Sequence, residues 1–302
     1  MANNFGRATK GVTGEGPRDH KSRLAQRTGE ILKIASKEVI STHPSTTIKK
    51  TAGLMRDNDV RRLPVIHPGT KKLEGMITAI DIIDFLGGGE KYRIIERDFN
   101  GNFLSAVNSA IAKIMRPSQY LEQKASVEEV VDIMLDKKTS CIPVVAGRKD
   151  MQVVALVTER DILPKDDPDG LGVTVGEIMK KELITASLGM MLSDVSKIMV
   201  RNQIRRLPVI REDRLVGVVT SLDVLGYLEK GDFKGVGAEE NLSTRVEEIM
   251  AENVVFLAPQ EDLGEVVKLV RETGYGGFPV VEDDKVQGII TTTDVLRWVY
   301  RQ

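Results

Sequence analysis

Hydrophobic and polar positions recur in four blocks along the chain. In each block a short apolar run surrounds a proline: Leu63-Pro64-Val65-Ile66, Ile142-Pro143-Val144-Val145, Leu207-Pro208-Val209-Ile210 and Phe278-Pro279-Val280-Val281. A second apolar run follows and ends in Thr-x-x-Asp, at Thr78/Asp81, Thr158/Asp161, Thr220/Asp223 and Thr291/Asp294. Sixteen positions before each proline stands Ile48, Val127, Leu192 or Leu263, and nine before it Met55, Met134, Met199 or Val270. Spacing and residue type that coincide four times over mark an internal repeat.

Within a block the pattern predicts strand, helix, strand, strand, helix, an α+β (α/β-like) unit. Block three shows it well. Glu182–Thr185 is a short extended lead, and Leu192, Val195 and Met199 recur at helical spacing. Leu207–Ile210 and Leu215–Val219 are strand-length runs joined by the polar turn Arg211-Glu212-Asp213-Arg214, and Leu222, Leu225 and Leu228 start a second helix. The proline is expected at a strand start, where a missing N–H is tolerated. The repeats are placed at 29–89, 111–170, 174–232 and 245–302. A linker at 90–110 carries a helix around Tyr92–Arg97, a second linker spans 233–244, and residues 1–28 form a flexible arm. Gly87-Gly88-Gly89 follows a helix and stops it.

A longer period overlies the first. Repeats one and three both read Arg-Arg-Leu-Pro-Val-Ile, with Arg61-Arg62 and Arg205-Arg206, where repeats two and four carry Ser140-Cys141 and Gly276-Gly277. The duplicated unit is therefore a pair, which predicts two modules of one odd and one even repeat each. A repeat of about 60 residues buries too little surface to stand alone comfortably, so pairing across an apolar face is expected.

Composition narrows the function. The 302 residues carry 43 Lys+Arg against 44 Asp+Glu, a net charge of −1, which argues against attraction of nucleic acid over the whole surface. The basic arm (Arg7, Lys10, Arg18, Lys21, Arg23, Arg27) leaves a nucleic-acid-associated regulator as a minor reading, without a helix-turn-helix or zinc pattern. One cysteine excludes an intrachain disulfide and a multi-cysteine metal site. Apolar runs such as Val153–Val157 fall far short of a membrane span, which needs about 20 residues, and no signal-peptide stretch opens the chain. A soluble, cytoplasmic protein is expected.

The apolar-Pro-Val-(Ile/Val) strand and the Gly-apolar-apolar-Thr-x-x-Asp junction resemble those of the cystathionine-beta-synthase (CBS) domain family. The junction reads Gly75-Met76-Ile77-Thr78, Gly217-Val218-Val219-Thr220 and Gly288-Ile289-Ile290-Thr291, and repeat two departs with Ala155 in place of the glycine. Four such domains with arginines before the proline are most similar to the gamma subunit of AMP-activated protein kinase and its stand-alone archaeal relatives. The resemblance implies paired repeats, two modules forming a flat disk, and clefts that take adenosine-containing ligands.

Each candidate residue has a plain reading beside the functional one. Thr-x-x-Asp can simply cap a helix, the hydroxyl accepting a backbone N–H and the carboxylate lying at the positive helix end. The same Asp could grip both ribose hydroxyls, with the Thr hydroxyl facing a phosphate. Arg61, Arg62, Arg205 and Arg206 can be a solvated turn or, as the resemblance implies, phosphate ligands; Arg160 occupies a further basic position of that family. Ile40, Ile184 and Val255 with Pro64, Pro208 and Pro279 are candidates for an adenine slot, or plain core. His20, His43 and His67 are scattered without metal spacing, Cys141 reads as an inert buried thiol, and the Asp residues lack catalytic partners in the motif.

The expectation is a non-catalytic regulatory protein that binds AMP, ADP or ATP and senses energy state, needing no catalytic cofactor and no metal, with an unidentified protein target. S-adenosylmethionine or NAD is the alternative, disfavoured for the cationic sulfonium by the arginines. Because repeats two and four lack the arginine pair, the clefts should be unequal. Whether two modules meet in one chain or in a homodimer is open at this stage.

Overall fold

The computed structural model describes residues 31–164, 170–230 and 242–301. The arm at 1–28 lies outside them, as does most of the linker at 233–244. Each repeat is a β-hairpin with a helix before it. The hairpins are β1 (Arg62–Ile66) with β2 (Leu73–Thr78), β4 (Cys141–Val145) with β5 (Val153–Thr158), β7 (Arg206–Arg211) with β8 (Arg214–Thr220), and β9 (Gly277–Glu282) with β10 (Lys285–Thr291). The preceding helices are α1 (Ile48–Asp57), α3 (Val127–Asp136), α4 (Leu192–Asn202) and α6 (Leu263–Thr273). Sequence sets their limits. Thr47 caps α1 by accepting from the Lys50 amide, Ser126 and Glu129 close a reciprocal cap on α3, and Gly274 ends α6 in the left-handed region at φ 72. The turns Glu212-Asp213 and Asp283-Asp284 have positive φ at both residues, as a two-residue hairpin loop requires.

Closing helices α2 (Ala79–Ile83), α5 (Ser221–Lys230) and α7 (Thr292–Tyr300) follow three of the hairpins. After Ile83 the chain of repeat one winds on to Gly88, and Gly87 at φ 129 ends its regular course. Short helices at Arg93–Phe99 and Phe103–Val107 fill the linker to repeat two. Repeat two departs from the predicted pattern. Its closing helix is a single 3-10 turn, Glu159–Ile162, and Leu163 turns extended at ψ 146 because it precedes Pro164, which disfavours helix at its neighbour.

The lead strands are also shorter than predicted. β3 (Leu121–Glu122) and β6 (Ala186–Ser187) pair parallel to β4 and β7, and repeats one and four have only the bridges Thr42–Val65 and Leu257–Val280. Pairing in repeat three thus falls after Glu182–Thr185. The Thr42 amide donates to the Pro64 carbonyl at 3.0 Å, and the Ile66 amide donates back to Thr42 at 2.9 Å. Pairing one pleat earlier would need an N–H on Pro64, which has none. The prolines therefore stand inside the hairpin strand, at the point where its lead strand stops pairing.

Ahead of each lead strand runs a segment that crosses to the other repeat of its module. Ser36 bridges Leu156 of repeat two, and Arg116 bridges Met76 of repeat one. Lys180 bridges Ile289 of repeat four, and Ala251 bridges Val218 of repeat three. The motif glycine lies under the crossing: a Cβ on Gly217 would stand 2.5 Å from Met250 Sδ and 3.0 Å from the Ala251 oxygen, and one on Gly288 2.5 Å from Met179 Sδ. Repeat two can hold Ala155 there because its crossing segment carries Ala35 where the others carry methionine.

The exchange joins repeat one with two and repeat three with four, and β8 and β10 join at Arg214–Lys285 into a five-stranded sheet. Two apolar cores run the other way. One combines repeats one and three, with Ile82, Ile83 and Leu86 against Leu192, Val195 and Leu225. The other combines repeats two and four, with Val130, Met134 and Ile142 against Val266, Val295 and Leu296. Every repeat is thus held on two sides, and both modules meet within one chain.

Candidate functional site

In repeat three, where the lead strand leaves Pro208, a slot opens beside the Thr220/Asp223 junction. All four junctions close a cap. The backbone amide of the Thr donates to the Asp Oδ2 at 2.9 Å in repeat one, 2.7 Å in repeats two and three and 3.0 Å in repeat four. The Thr hydroxyl donates to the same oxygen. Capping consumes Oδ2, so any further role rests on Oδ1.

The four Oδ1 atoms differ. Asp81 is 2% exposed, and its Oδ1 is paired with Arg116 at 2.8 Å and with Lys91. Asp294 is 3% exposed, with Lys180 at 3.5 Å and Arg297 at 3.4 Å from Oδ1. Asp161 and Asp223 are half-buried and make no ion pair among the described residues. Burial raises the carboxyl pKa of both above the ordinary value, against the pull of the Thr hydrogen bonds.

A cavity of about 190 Å³ opens at the Asp223 junction. Thr220 and Asp223 form one wall, and Pro208, Val255 and Pro279 form an apolar part of the lining. Arg61 of repeat one and Arg206 of repeat three supply guanidiniums, so the lining draws on three repeats. Asp59, Asn253 and Tyr275 also face it. Seven residues singled out from sequence thus come together: Arg61, Arg206, Pro208, Thr220, Asp223, Val255 and Pro279.

Other candidates fall elsewhere. Arg62 and Arg205 both donate to the Ser140 hydroxyl, Arg205 at 3.1 Å, and stand outside this cavity's lining. Arg206 also donates to the Gly277 carbonyl. Arg160 lies near enough to Arg61 to lower its proton affinity, though burial lowers it more. Ile184 is 39% exposed, and neither it nor Ile40 with Pro64 lines this cavity. Thr78 with Asp81 and Thr291 with Asp294 are tied up with cations of the chain itself.

The arginines of both odd repeats crowd one another. Arg205 is pushed down to about 9, chiefly by the charge of Arg62 beside it, and Arg206 to about 10, chiefly by burial. Glu159 offsets part of this charge, while accepting from the hydroxyls of Thr292 at 2.5 Å and Thr293 at 2.6 Å. Burial pushes the Cys141 thiol up to about 12, which disfavours its thiolate form. Among the described residues no His/Cys/Asp/Glu group could hold a metal ion, and no helix is long and apolar enough to cross a membrane.

Sequence reasoning missed Lys91, Arg116, Lys180 and Arg297, and with them the crossing segments. A signal was available. Ile114-Met115-Arg116, Ile178-Met179-Lys180 and Ile249-Met250-Ala251 form a further fourfold element with Ile34-Ala35-Ser36.

Comparison with known proteins agrees with this architecture. The CBS domain profile matches residues 29–88, 111–165, 175–230 and 246–301. An uncharacterised protein of Methanocaldococcus jannaschii, MJ1225, is 35% identical over 279 residues, covering 89% of this chain and 98% of the relative. Its crystal structure, described as that of a proposed archaeal homologue of γ-AMPK, superposes with a TM-score of 0.79 at 33% identity, over 89% of this chain and 99% of that one. An uncharacterised 33.4 kDa protein of Thermofilum pendens, from a ribosomal RNA operon, is 30% identical over 80% of this chain and 81% of its own. A conserved protein of Pyrococcus horikoshii shares the fold, with a TM-score of 0.55 at 17% identity. With four matched repeats that together span most of its length, the chain belongs to the CBS domain family.

Proposed function

We propose that this protein is a non-catalytic regulator that binds an adenine nucleotide (AMP, ADP or ATP) in clefts between paired CBS repeats, and so reports the energy state of the cytoplasm to a protein target. The observation that carries this reading is the cavity at Asp223. It sets a carboxylate that makes no ion pair among the described residues beside two guanidiniums and an apolar slot. A ribose offers two hydroxyls to such a carboxylate, and a phosphate accepts from arginine in bidentate fashion. The slot between Pro208, Val255 and Pro279 suits the faces of a purine. A phosphate between Arg61 and Arg206 would also offset the charge of Arg61, which adds to burial in lowering the proton affinity of Arg206. Because Arg61 belongs to repeat one, a ligand held by it and Asp223 would tie both modules together.

An S-adenosylmethionine sensor is disfavoured by the same cations, which repel a sulfonium. NAD would satisfy the adenosine half equally and is separated by direct competition. A role in nucleic-acid binding rests only on the basic arm outside the described residues. Calorimetry tests the main reading. AMP is expected to bind in the micromolar range, about −7 to −8 kcal/mol, and adenosine more weakly. Equal affinity for the two would remove the phosphate role from Arg61 and Arg206.

A further inference from the structure

The four crossing segments place one residue each at the same register beside the four junctions. The bridge partners Met76, Leu156, Val218 and Ile289 each lie two positions before the junction Thr. The residues opposite them are Arg116, Ser36, Ala251 and Lys180. Arg116 donates through Nε to Asp81 Oδ2 at 3.0 Å and pairs through its NH2 group with Oδ1 at 2.8 Å. It also donates to the Thr78 hydroxyl at 3.2 Å, so both atoms that a ribose or phosphate would use are taken. Lys91 adds a second cation and anchors to the Ile114 carbonyl at 2.8 Å. Lys180 takes the same register at Asp294 and pairs with its Oδ1 at 3.5 Å, joined by Arg297 at 3.4 Å. Ser36 and Ala251 are too short to reach Asp161 or Asp223, and Ala251 lines the Asp223 cavity.

We infer that this single crossing-segment position decides which clefts accept a ligand: Arg116 and Lys180 close the clefts of Asp81 and Asp294 with the protein's own cations, and Ser36 and Ala251 leave those of Asp161 and Asp223 open. One open cleft per module gives two ligands per chain. This rests on the proposed binding of adenosine-containing ligands and adds to it the residues that choose among the clefts. It differs from the ranking by arginine pairs. Repeat two lacks such a pair, yet its Asp161 makes no ion pair among the described residues, whereas repeat one has a pair and its Asp81 is neutralised.

The experiment is AMP titration of the full chain by calorimetry and native mass spectrometry, with ADP, ATP, NAD and S-adenosylmethionine as further probes. The wild-type chain should take two AMP. Ala251→Lys places an ammonium at the register that Lys180 occupies, and should reduce the count to one. Ser36→Lys should do the same at the other cleft, and the double variant should lose binding at least tenfold. Apo melting temperatures of these variants should hold or rise, because each new lysine gains a carboxylate partner. Conversely, Lys180→Ala with Arg297→Ala should add a third AMP. Three or four AMP on the wild-type chain, or two on Ala251→Lys with the apo fold intact, would overturn the inference while leaving nucleotide binding standing. Failure of every probe to bind the wild-type chain would overturn the functional reading, and the inference with it.

Discussion

At the residue scale, the same four Asp positions carry different loads. Asp81 neutralises Lys91 and Arg116, whereas Asp223 caps a helix and makes no ion pair among the described residues. Asp223→Asn should retain the cap, because an amide oxygen still accepts from Thr220. It should weaken the local nucleotide site by about 1.5–3 kcal/mol, ten- to hundredfold, through loss of charge-assisted bonds. Asp81→Asn should instead lower apo stability by about 1–3 kcal/mol, since two cations lose their partner, and leave AMP stoichiometry unchanged. The dependence on pH separates the roles further. The folded-state pKa of Asp223 is raised above its ordinary value of 3.8, mainly by burial. The native state therefore holds the proton where the unfolded chain has released it. That contribution to stability is full below 3.8 and is lost as pH rises through the raised value. Urea melts of apo wild-type and Asp223→Asn from acid to neutral pH should show the variant gaining relative stability. A constant difference across that range would mean that the carboxylate is already well solvated or paired.

At the scale of elements, the family glycine is explained by what crosses it. The segment at Met250–Ala251 passes directly over Gly217, so Gly217→Ala forces either the thioether or the backbone to move. Overpacking of this kind costs about 1–3 kcal/mol. Repeat two shows the compensated state, Ala155 under Ala35. The double variant Gly217→Ala/Met250→Ala should therefore recover part of the loss, which a double-mutant cycle in urea would read as a favourable coupling. Additive losses would mean that the Ala251 carbonyl, not the methionine, sets the constraint. Proline shapes its element in a similar way. A strand residue without an N–H ends the pairing of its neighbour, and the slot begins where pairing ends.

At the scale of the whole molecule, the exchange of segments and the packing of helices join different pairs of repeats. Cutting the chain between repeats two and three would leave each module joined through its crossing segments. It would also bare half of both apolar cores, including Ile82, Ile83 and Leu86 on one face. A fragment holding repeats one and two is therefore expected to dimerise through those faces, as measured by light scattering after gel filtration. A well-folded monomeric fragment would show that the cores contribute less than their burial implies. The closed ring also explains how a ligand at one junction could be felt elsewhere. Arg61, Arg206 and Asp223 reach one cavity from two modules, so a ligand held there would constrain the packing of repeat one on repeat three.

Sequence alone determined the repeat, its element order, the Thr-x-x-Asp caps and the residue types that meet at Asp223. These follow from local rules: periodicity, turn residues and the chemistry of capping, all written within about 60 residues. The identity of partners was legible only in part. The doubled arginines revealed the period of the modules, but not that Arg62 and Arg205 would converge on Ser140 while Arg61 and Arg206 faced the cavity. Only tertiary structure decided which carboxylates are neutralised. Arg116 lies 35 residues from Asp81 in sequence, and Lys180 lies far before Asp294, each delivered by a segment that belongs to another repeat. A short-range reading treats the four junctions as equals, because each has the same Thr and the same Asp. The charge that distinguishes them arrives through space, and its effect falls off with distance in space rather than along the chain.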